Sequence, residues 1–463
     1  MSLKKNVSRA TTMSALASAV MISVLGSSAI GSTESERAYA AQLRNQTLEE
    51  GGWAPDELRR DNSSMRISVL MQTRYVASIQ EKTASSAQSQ TTIGFLIPRA
   101  QVSIEGNIVS SRLSYKLTMD FGDAELGRGR GTLSSVTAPG GQGVPSLLDA
   151  YAQYNFEGKR EGYYLKVGQF KHIMHTEEAI EAQYQLAVDR SLTNEFFNLG
   201  YTQGVALGRV QRDIAWQVSV NDGGRFFGSQ DVGNSLVTNG FEADVSVDVR
   251  FDWKLSGSWE QFADFTSFQG SQSGLKLGFG VSWLHQGATG PGGYSSPLFG
   301  PPVDQAEVAS WTFDGQWEGD GWSVFAAVMG NSIDWQFDTG VGFAISNYGF
   351  VVQGGYFGTE KTEYFARFEG IFLDSQIANG FGISQNEPAM ILTVGLNYFV
   401  VPESHAAKFT FDASYSFGET SGFLAGVTGS DTLPDPNVTT ATPIRIITAR
   451  ARTKSFVPIR IPP

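Results

Sequence analysis

From residue 241 to residue 253, apolar and polar side chains alternate without a break. Phe241, Ala243, Val245, Val247, Val249, Phe251 and Trp253 share one parity; Glu242, Asp244, Ser246, Asp248, Arg250 and Asp252 share the other. Successive side chains of a β-strand point to opposite faces, so this is a strand with one apolar and one charged face. In a soluble sandwich the inward face would be the apolar one. A barrel that crosses a membrane reverses the rule, turning apolar side chains to lipid and polar ones to a wet lumen.

Comparable runs recur along the chain. They predict strands near residues 65–80, 93–108, 112–121, 147–157, 163–171, 201–211, 213–221, 240–255, 274–285, 307–318, 322–330, 348–357, 361–371, 390–400, 407–417 and 443–456. Short and long connections alternate between them. Long ones fall at 81–92, 122–146, 172–200, 222–239, 286–306, 331–347, 372–389 and 418–442, and the connection at 256–273 is long where a short turn is expected. Short turns on the periplasmic side and long loops outside are the asymmetry of a bacterial barrel. The expected fold is all-β: a 16-stranded antiparallel transmembrane β-barrel over residues 63–456. Tyr115, Phe121, Tyr154, Trp253, Trp283, Trp311, Trp317, Phe409, Phe411, Tyr415 and Phe417 lie on the outward parity, where a membrane interface collects aromatic rings.

Composition agrees. The 463 residues include 52 glycines and only 17% charged residues, yet no apolar run beyond the N-terminus could span a bilayer as a helix. The net charge of −12 argues against nucleic acid as a partner. The absence of cysteine excludes disulfides, thiolate metal sites and cysteine nucleophiles. At the N-terminus, Lys4, Lys5 and Arg9 precede the apolar stretch Met13 to Leu25, and Ser27-Ser28-Ala29 offers a cleavage site, so residues 1–29 read as a signal peptide. Ala38-Tyr39-Ala40 is a lower-ranked cleavage site, and an uncleaved anchor is the lesser alternative. Residues 30–62 form a polar periplasmic lead-in, and residues 457–463 a C-terminal tail.

Several motifs appear in a fixed order. Leu165-Lys166-Val167-Gly168-Gln169-Phe170-Lys171 is followed by Asp189-Arg190-Ser191-Leu192 and Gly204-Val205, then by residues 349–357, Phe365-Ala366-Arg367-Phe368 and residues 392–398. In this order they resemble the phosphate-selective porin O and P family. The resemblance implies a trimeric barrel in the outer membrane whose third loop folds into the lumen and whose pore-lining bases bind and pass phosphate. The chain departs from the family at His172-Ile173-Met174-His175, where a proline-phenylalanine-glycine turn is usual, and in extending past Phe456.

On the inferred lumen parity the bases are Arg66, Arg74, Arg99, Arg112, Lys116, Lys166, Arg250, Lys254, Lys276, Arg367, Lys408, Arg450, Arg452 and Lys454. The guanidinium fork suits phosphate oxygens. Glu105, Asp120, Asp149, Glu242, Asp244, Asp248, Asp252, Asp314, Glu369 and Asp412 share that parity, so cross-strand pairing that merely keeps the wall wet is the competing reading. The third loop, 172–200, carries Glu177, Glu178, Glu181 and Arg190 as candidate constriction residues. Thr176 followed by two glutamates also reads as a helix N-terminus capped by its hydroxyl. His172, His175 and Glu178 would share a helical face as metal ligands must, although loop-surface histidines are the plainer reading. Gly127-Arg128-Gly129-Arg130-Gly131 lacks the Lys-Ser/Thr of a phosphate-binding loop.

No nucleophile elbow or serine placed two residues after a histidine marks an enzyme, and no cofactor is expected. The expected function is passive diffusion of small hydrophilic solutes, with inorganic anions such as phosphate among the candidates. The expected partners are outer-membrane lipid and two further copies of the chain. The alternative is a structural or adhesive barrel with an occluded lumen.

Overall fold

The computed structural model describes residues 64–80, 90–108, 110–122, 146–157, 161–223, 245–286, 294–295, 302–337, 342–375, 388–417 and 447–453. The expected signal peptide, the lead-in, the C-terminal tail, Glu242, Asp244, Lys454 and the 127–131 loop lie outside them. Among the described residues there is one sheet of 17 strands. The first nine are β1 (Ser64–Gln80), β2 (Gln90–Asn107), β3 (Leu113–Asp120), β4 (Ser146–Asn155), β5 (Gly162–Lys171), β6 (Tyr201–Val210), β7 (Ile214–Asn221), β8 (Val245–Ser256) and β9 (Gly274–Gln286). The two-residue β10 (Tyr294–Ser295) follows. Then come β11 (Pro302–Gly319), β12 (Trp322–Phe337), β13 (Gly342–Thr359), β14 (Thr362–Phe372), β15 (Ala389–Phe399), β16 (Lys408–Phe417) and β17 (Ile447–Thr453). Pairing is antiparallel throughout and follows chain order, except that β9 pairs with β11, which the two-residue β10 also joins, and β17 pairs with both β16 and β1. No helix is long and apolar enough to cross a membrane.

The faces follow the alternation. On β8, Phe251 and Trp253 are exposed while Ser246, Asp248 and Arg250 are buried. The same inversion holds around the wall. Outward side chains such as Val328, Val352, Phe368, Val394 and Phe411 are exposed, whereas inward Thr312, Asn347, Gln353, Asn397 and Thr410 are buried. An exposed apolar band around a polar interior is what hydrocarbon outside and water within require.

Two stretches differ from the sequence expectation. Residues 331–347 do not form a long loop. β12 runs on to Phe337 and β13 begins at Gly342, with Ile333 paired to Ile345 and the Asn347 amide donating to Asn331 at 2.9 Å. Cross-strand pairs of matched side chains carry the hairpin well beyond its expected end. The second is an apolar patch on the inner face of β12 to β14. Phe325, Ala327, Met329, Val351, Phe365 and Ile371 point inward and are buried with Ile180, Leu186, Phe196 and Phe197 of the 172–200 loop. Here the lumen wall is packed against protein and not wetted.

Candidate functional site

The interior is organised by the loop between β5 and β6. Its base is closed where the His172 amide donates to the Gly200 carbonyl at 2.9 Å. It contains two short helices, α1 (Thr176–Ala179) and α2 (Leu192–Phe197), with a 3-10 turn at Ala182–Tyr184 between them. Ser191 caps α2 by accepting from the Asn194 amide, as a hydroxyl before a helix should. The expected hydroxyl cap at Thr176 is not there: His175 precedes α1, and the Thr176 hydroxyl donates to Asp314 at 2.8 Å. A carboxylate on the facing wall is the stronger acceptor.

Buried ionic contacts tether this loop to the wall. The Arg250 guanidinium, 3% exposed, pairs with Asp314 at 2.6 Å and donates to the Met174 carbonyl and the Thr176 hydroxyl, each at 2.8 Å. Arg367, 7% exposed, lies 3.2 Å from Glu369 and donates to the Asp189 carbonyl at 2.9 Å. Glu369 in turn accepts from the Thr193 amide. Lys408 donates to the Gln185 carbonyl, Asn397 to the Leu186 carbonyl, and the Val188 amide donates to Asp412. Arg250 and Arg367, expected on the open pore wall, are therefore buried anchors beneath the loop. Arg250 holds loop atoms on one side and wall carboxylates on the other.

The candidate constriction residues divide. Glu177 is buried and accepts from the Ser191 amide and hydroxyl, both at 2.6 Å. Burial pushes its carboxyl above the usual range, against the pull of Arg367 and Ser191. Glu178 is also buried, 3.2 Å from Arg190 and 3.4 Å from Lys171. Arg190 further donates to the Glu177 and Ile180 carbonyls, gathering the end of α1. Glu181 faces open space with a side chain 47% exposed, and it pairs with Lys116 at 3.0 Å. Burial opposes its ionisation, but the Lys116 ammonium outweighs that and holds the carboxyl below its usual range. Lys116 also reaches Asp149 at 3.1 Å.

Asp189 makes a second crossing, pairing with Arg74 and, at 3.3 Å, with Arg99. Arg66, 61% exposed, pairs with Glu105 at 2.7 Å. Arg112 sits exposed in the short turn before β3. For Arg450 and Arg452 only the backbone is described; the register sets Arg452 opposite Arg74 and Thr410, and Arg450 opposite Asp412. The histidines do not share a helical face with Glu178. His172 precedes α1 and its Nδ1 lies 2.8 Å from Asp248, and the described residues contain no group of possible metal ligands.

One functional element is missed by the sequence reading. Residues 256–273, between β8 and β9, do not hang below the barrel. The Phe265 ring packs 4.8 Å from Phe325 on the inner wall, and its amide donates to the Tyr184 carbonyl of the 172–200 loop at 3.2 Å. Phe268 stacks among Phe357, Phe399 and His405, with ring centroids 5.1–5.5 Å away. The sequence signal is present in retrospect. Alternation fails in Val324-Phe325-Ala326-Ala327-Val328-Met329, and a strand apolar on both faces must have protein on both sides or lipid on one and protein on the other.

An apolar outer band, a polar inner wall and a long loop folded inward define an outer-membrane porin, a barrel for passive diffusion of small solutes. Within that class, residues 69–269 match the sequence model of the phosphate-selective porin O and P family, so the resemblance seen in the motifs at 165–171, 189–192 and 204–205 holds. The fold is shared with the anion-selective porin from Comamonas acidovorans, at 8% identity and a TM-score of 0.52, covering 84% of this chain and 99% of that one. It is shared also with the outer membrane channel DcaP of Acinetobacter baumannii, at 10% identity and a TM-score of 0.54, covering 87% and 99%. No curated protein matches the sequence.

Proposed function

We propose that the chain forms a closed barrel of sixteen long strands with a narrow, off-centre water path between the inner faces of β1 to β5 and the Glu181–Asp189 edge of the loop. The observation that carries this is the asymmetry of burial. Inner residues of β8 and β11 to β16 are covered by the loop, whereas Arg66, Gln101, Ser103, Glu105, Lys116, Gln153 and Lys166 keep contact with open space. Of the bases expected to line a pore, Arg66, Arg99 and Lys116 border this path, each opposite a carboxylate, while Arg74 is buried against Asp189. Neighbouring opposite charges largely cancel at a few ångströms, so a path of this kind passes small hydrophilic solutes with mild ion preference. Inorganic anions, phosphate included, belong to that range, as the family match suggests. We infer further that the barrels associate as trimers through the exposed apolar band.

A second reading, an occluded barrel that works through its surface, is favoured by the Phe265–Tyr184 contact, which joins two inward segments across the interior. Reconstitution in planar bilayers separates the two. Stepwise conductance is expected; a folded barrel that gives no steps supports occlusion. Chemical cross-linking in detergent checks the trimer, and a single-copy species throughout would remove it.

A further inference from the structure

Along β6, Val205, Leu207 and Arg209 share one parity. Val205 and Leu207 are exposed, as lipid-facing side chains are, while Thr202 and Ala206 of the other parity are buried. Arg209 is therefore a base on the outer face of the barrel. It stands one residue before the end of β6, beside the short connection 211–213 to β7. Short connections lie on the periplasmic side, so Arg209 is at the level of the inner-leaflet headgroups.

Its neighbours at this height are aromatic. Arg209 is opposite Tyr163 of β5 and Trp216 of β7, and Trp216 is opposite Phe251 of β8. Phe156 continues the row, its amide donating to the Tyr163 carbonyl at 2.9 Å. Phe156, Tyr163 and Phe251 are exposed. The guanidinium carbon lies 4.4 Å from the Tyr163 ring centroid, and the Trp216 ring meets Tyr163 edge-on at 6.2 Å. Rings of this kind collect where hydrocarbon meets headgroups.

The guanidinium keeps its charge. Nη1 donates to the Tyr163 hydroxyl at 3.2 Å. With its oxygen turned toward the guanidinium, the Gln211 amide accepts from Nε, Nη1 and Nη2 at 2.9–3.1 Å. These partners are neutral and occupy at most four of the five N–H donors. Among the described residues no carboxylate lies within 4.0 Å of Arg209, and Asp213 in the adjoining turn pairs with Arg212 at 3.8 Å. A ring face attracts a cation without neutralising it.

We propose that Arg209, set among Tyr163, Trp216 and Phe251 on the outer face, binds the phosphodiester of an anionic phospholipid of the inner leaflet. The guanidinium fork matches two phosphate oxygens. The exposed rings, with Val205 and Leu207 toward the membrane centre, supply the apolar surface that glycerol and acyl chains need and a free phosphate does not use. Phosphatidylglycerol presents an unneutralised phosphodiester, whereas phosphatidylethanolamine carries its own ammonium beside the phosphate. The site stands on the lipid-facing parity of β5 to β8 and is independent of what crosses the lumen.

The test is native mass spectrometry of the detergent-purified protein after incubation with equal amounts of phosphatidylglycerol and phosphatidylethanolamine. The proteins compared are native, Arg209→Gln, Arg209→Lys and Lys361→Gln, the last in another short turn. Heat-modifiable mobility confirms that each is folded. Native protein should retain phosphatidylglycerol in preference, and Arg209→Gln should lower the retained ratio by about fivefold, the worth of one basic side chain at an anionic lipid surface. Arg209→Lys should keep most of the preference, and Lys361→Gln should behave as native. Excess inorganic phosphate should leave the bound lipid in place. A folded Arg209→Gln variant with the native ratio overturns the proposal. So does full displacement of the lipid by inorganic phosphate, which would mark a free-anion site. Loss of a cross-linked oligomer in Arg209→Gln overturns it too, because the guanidinium would then serve a second copy of the chain. None of these outcomes bears on conductance, so the porin reading stands or falls separately.

Discussion

His175 is buried between the loop and the wall, and burial drives its pKa down, opposed by the Asp314 carboxylate and aided by the Arg250 guanidinium, to about 4. Freed from the wall, an imidazole protonates near 6.5. The docked loop therefore keeps His175 neutral while the undocked loop takes up a proton, so docking weakens as pH falls from about 6.5 to about 4, by about 1.4 kcal/mol per unit. His172 works in another window. Burial disfavours its charge, but Asp248 at 2.8 Å more than reverses that and raises its pKa. Its contribution is full below about 6.5 and is lost as pH rises through the raised value. The thermal midpoint in detergent should fall on acidification from pH 6.5 to 4 or so, and His175→Gln should flatten that fall. Equal slopes for native and variant would remove His175 from the docking energetics.

At the scale of elements, the 172–200 loop is held by its own fold and by the wall together. Glu177 binds Ser191, the cap of α2, while Arg250, Arg367 and Lys408 reach up from β8, β14 and β16. Removing one partner of a buried pair typically costs about 3–5 kcal/mol, so single anchor substitutions should loosen the loop without unfolding a barrel whose ladder is intact. Deleting Glu177 to Gln185 removes all of α1 but Thr176, and with it the Glu181 crossing to Lys116. Single-channel conductance should rise in that variant. An unchanged conductance in a folded deletion variant would show that the solute path does not pass this edge of the loop.

For the whole molecule, the membrane sets the rule that the strands obey. Val247 faces outward on β8, and its neighbour Ser246 faces inward and is buried. Val247→Arg would place a charge in hydrocarbon at about 2–4 kcal/mol near the midplane, whereas Ser246→Ala removes only a hydroxyl from the interior. Folding into lipid vesicles, followed by heat-modifiable mobility, should be impaired for the first and near native for the second. Equal folding of both would contradict the lipid-facing parity of β8.

The sequence by itself determined the antiparallel all-β class and the parity of most strands, and its resemblance to a porin family implied the inward use of the third loop. Period-2 alternation is a local property, readable wherever one face meets lipid and the other water. It did not reveal where the loop docks or what 256–273 does. It placed Arg250 and Arg367 on the inner face, which is where they are, but parity cannot tell a wetted inner face from one covered by a loop. The Arg367–Glu177 and Arg250–Thr176 contacts join residues far apart in the chain, and only the packed interior makes them neighbours. Pairing across the lumen is a matter of three-dimensional distance, and that is decided by the tertiary structure alone.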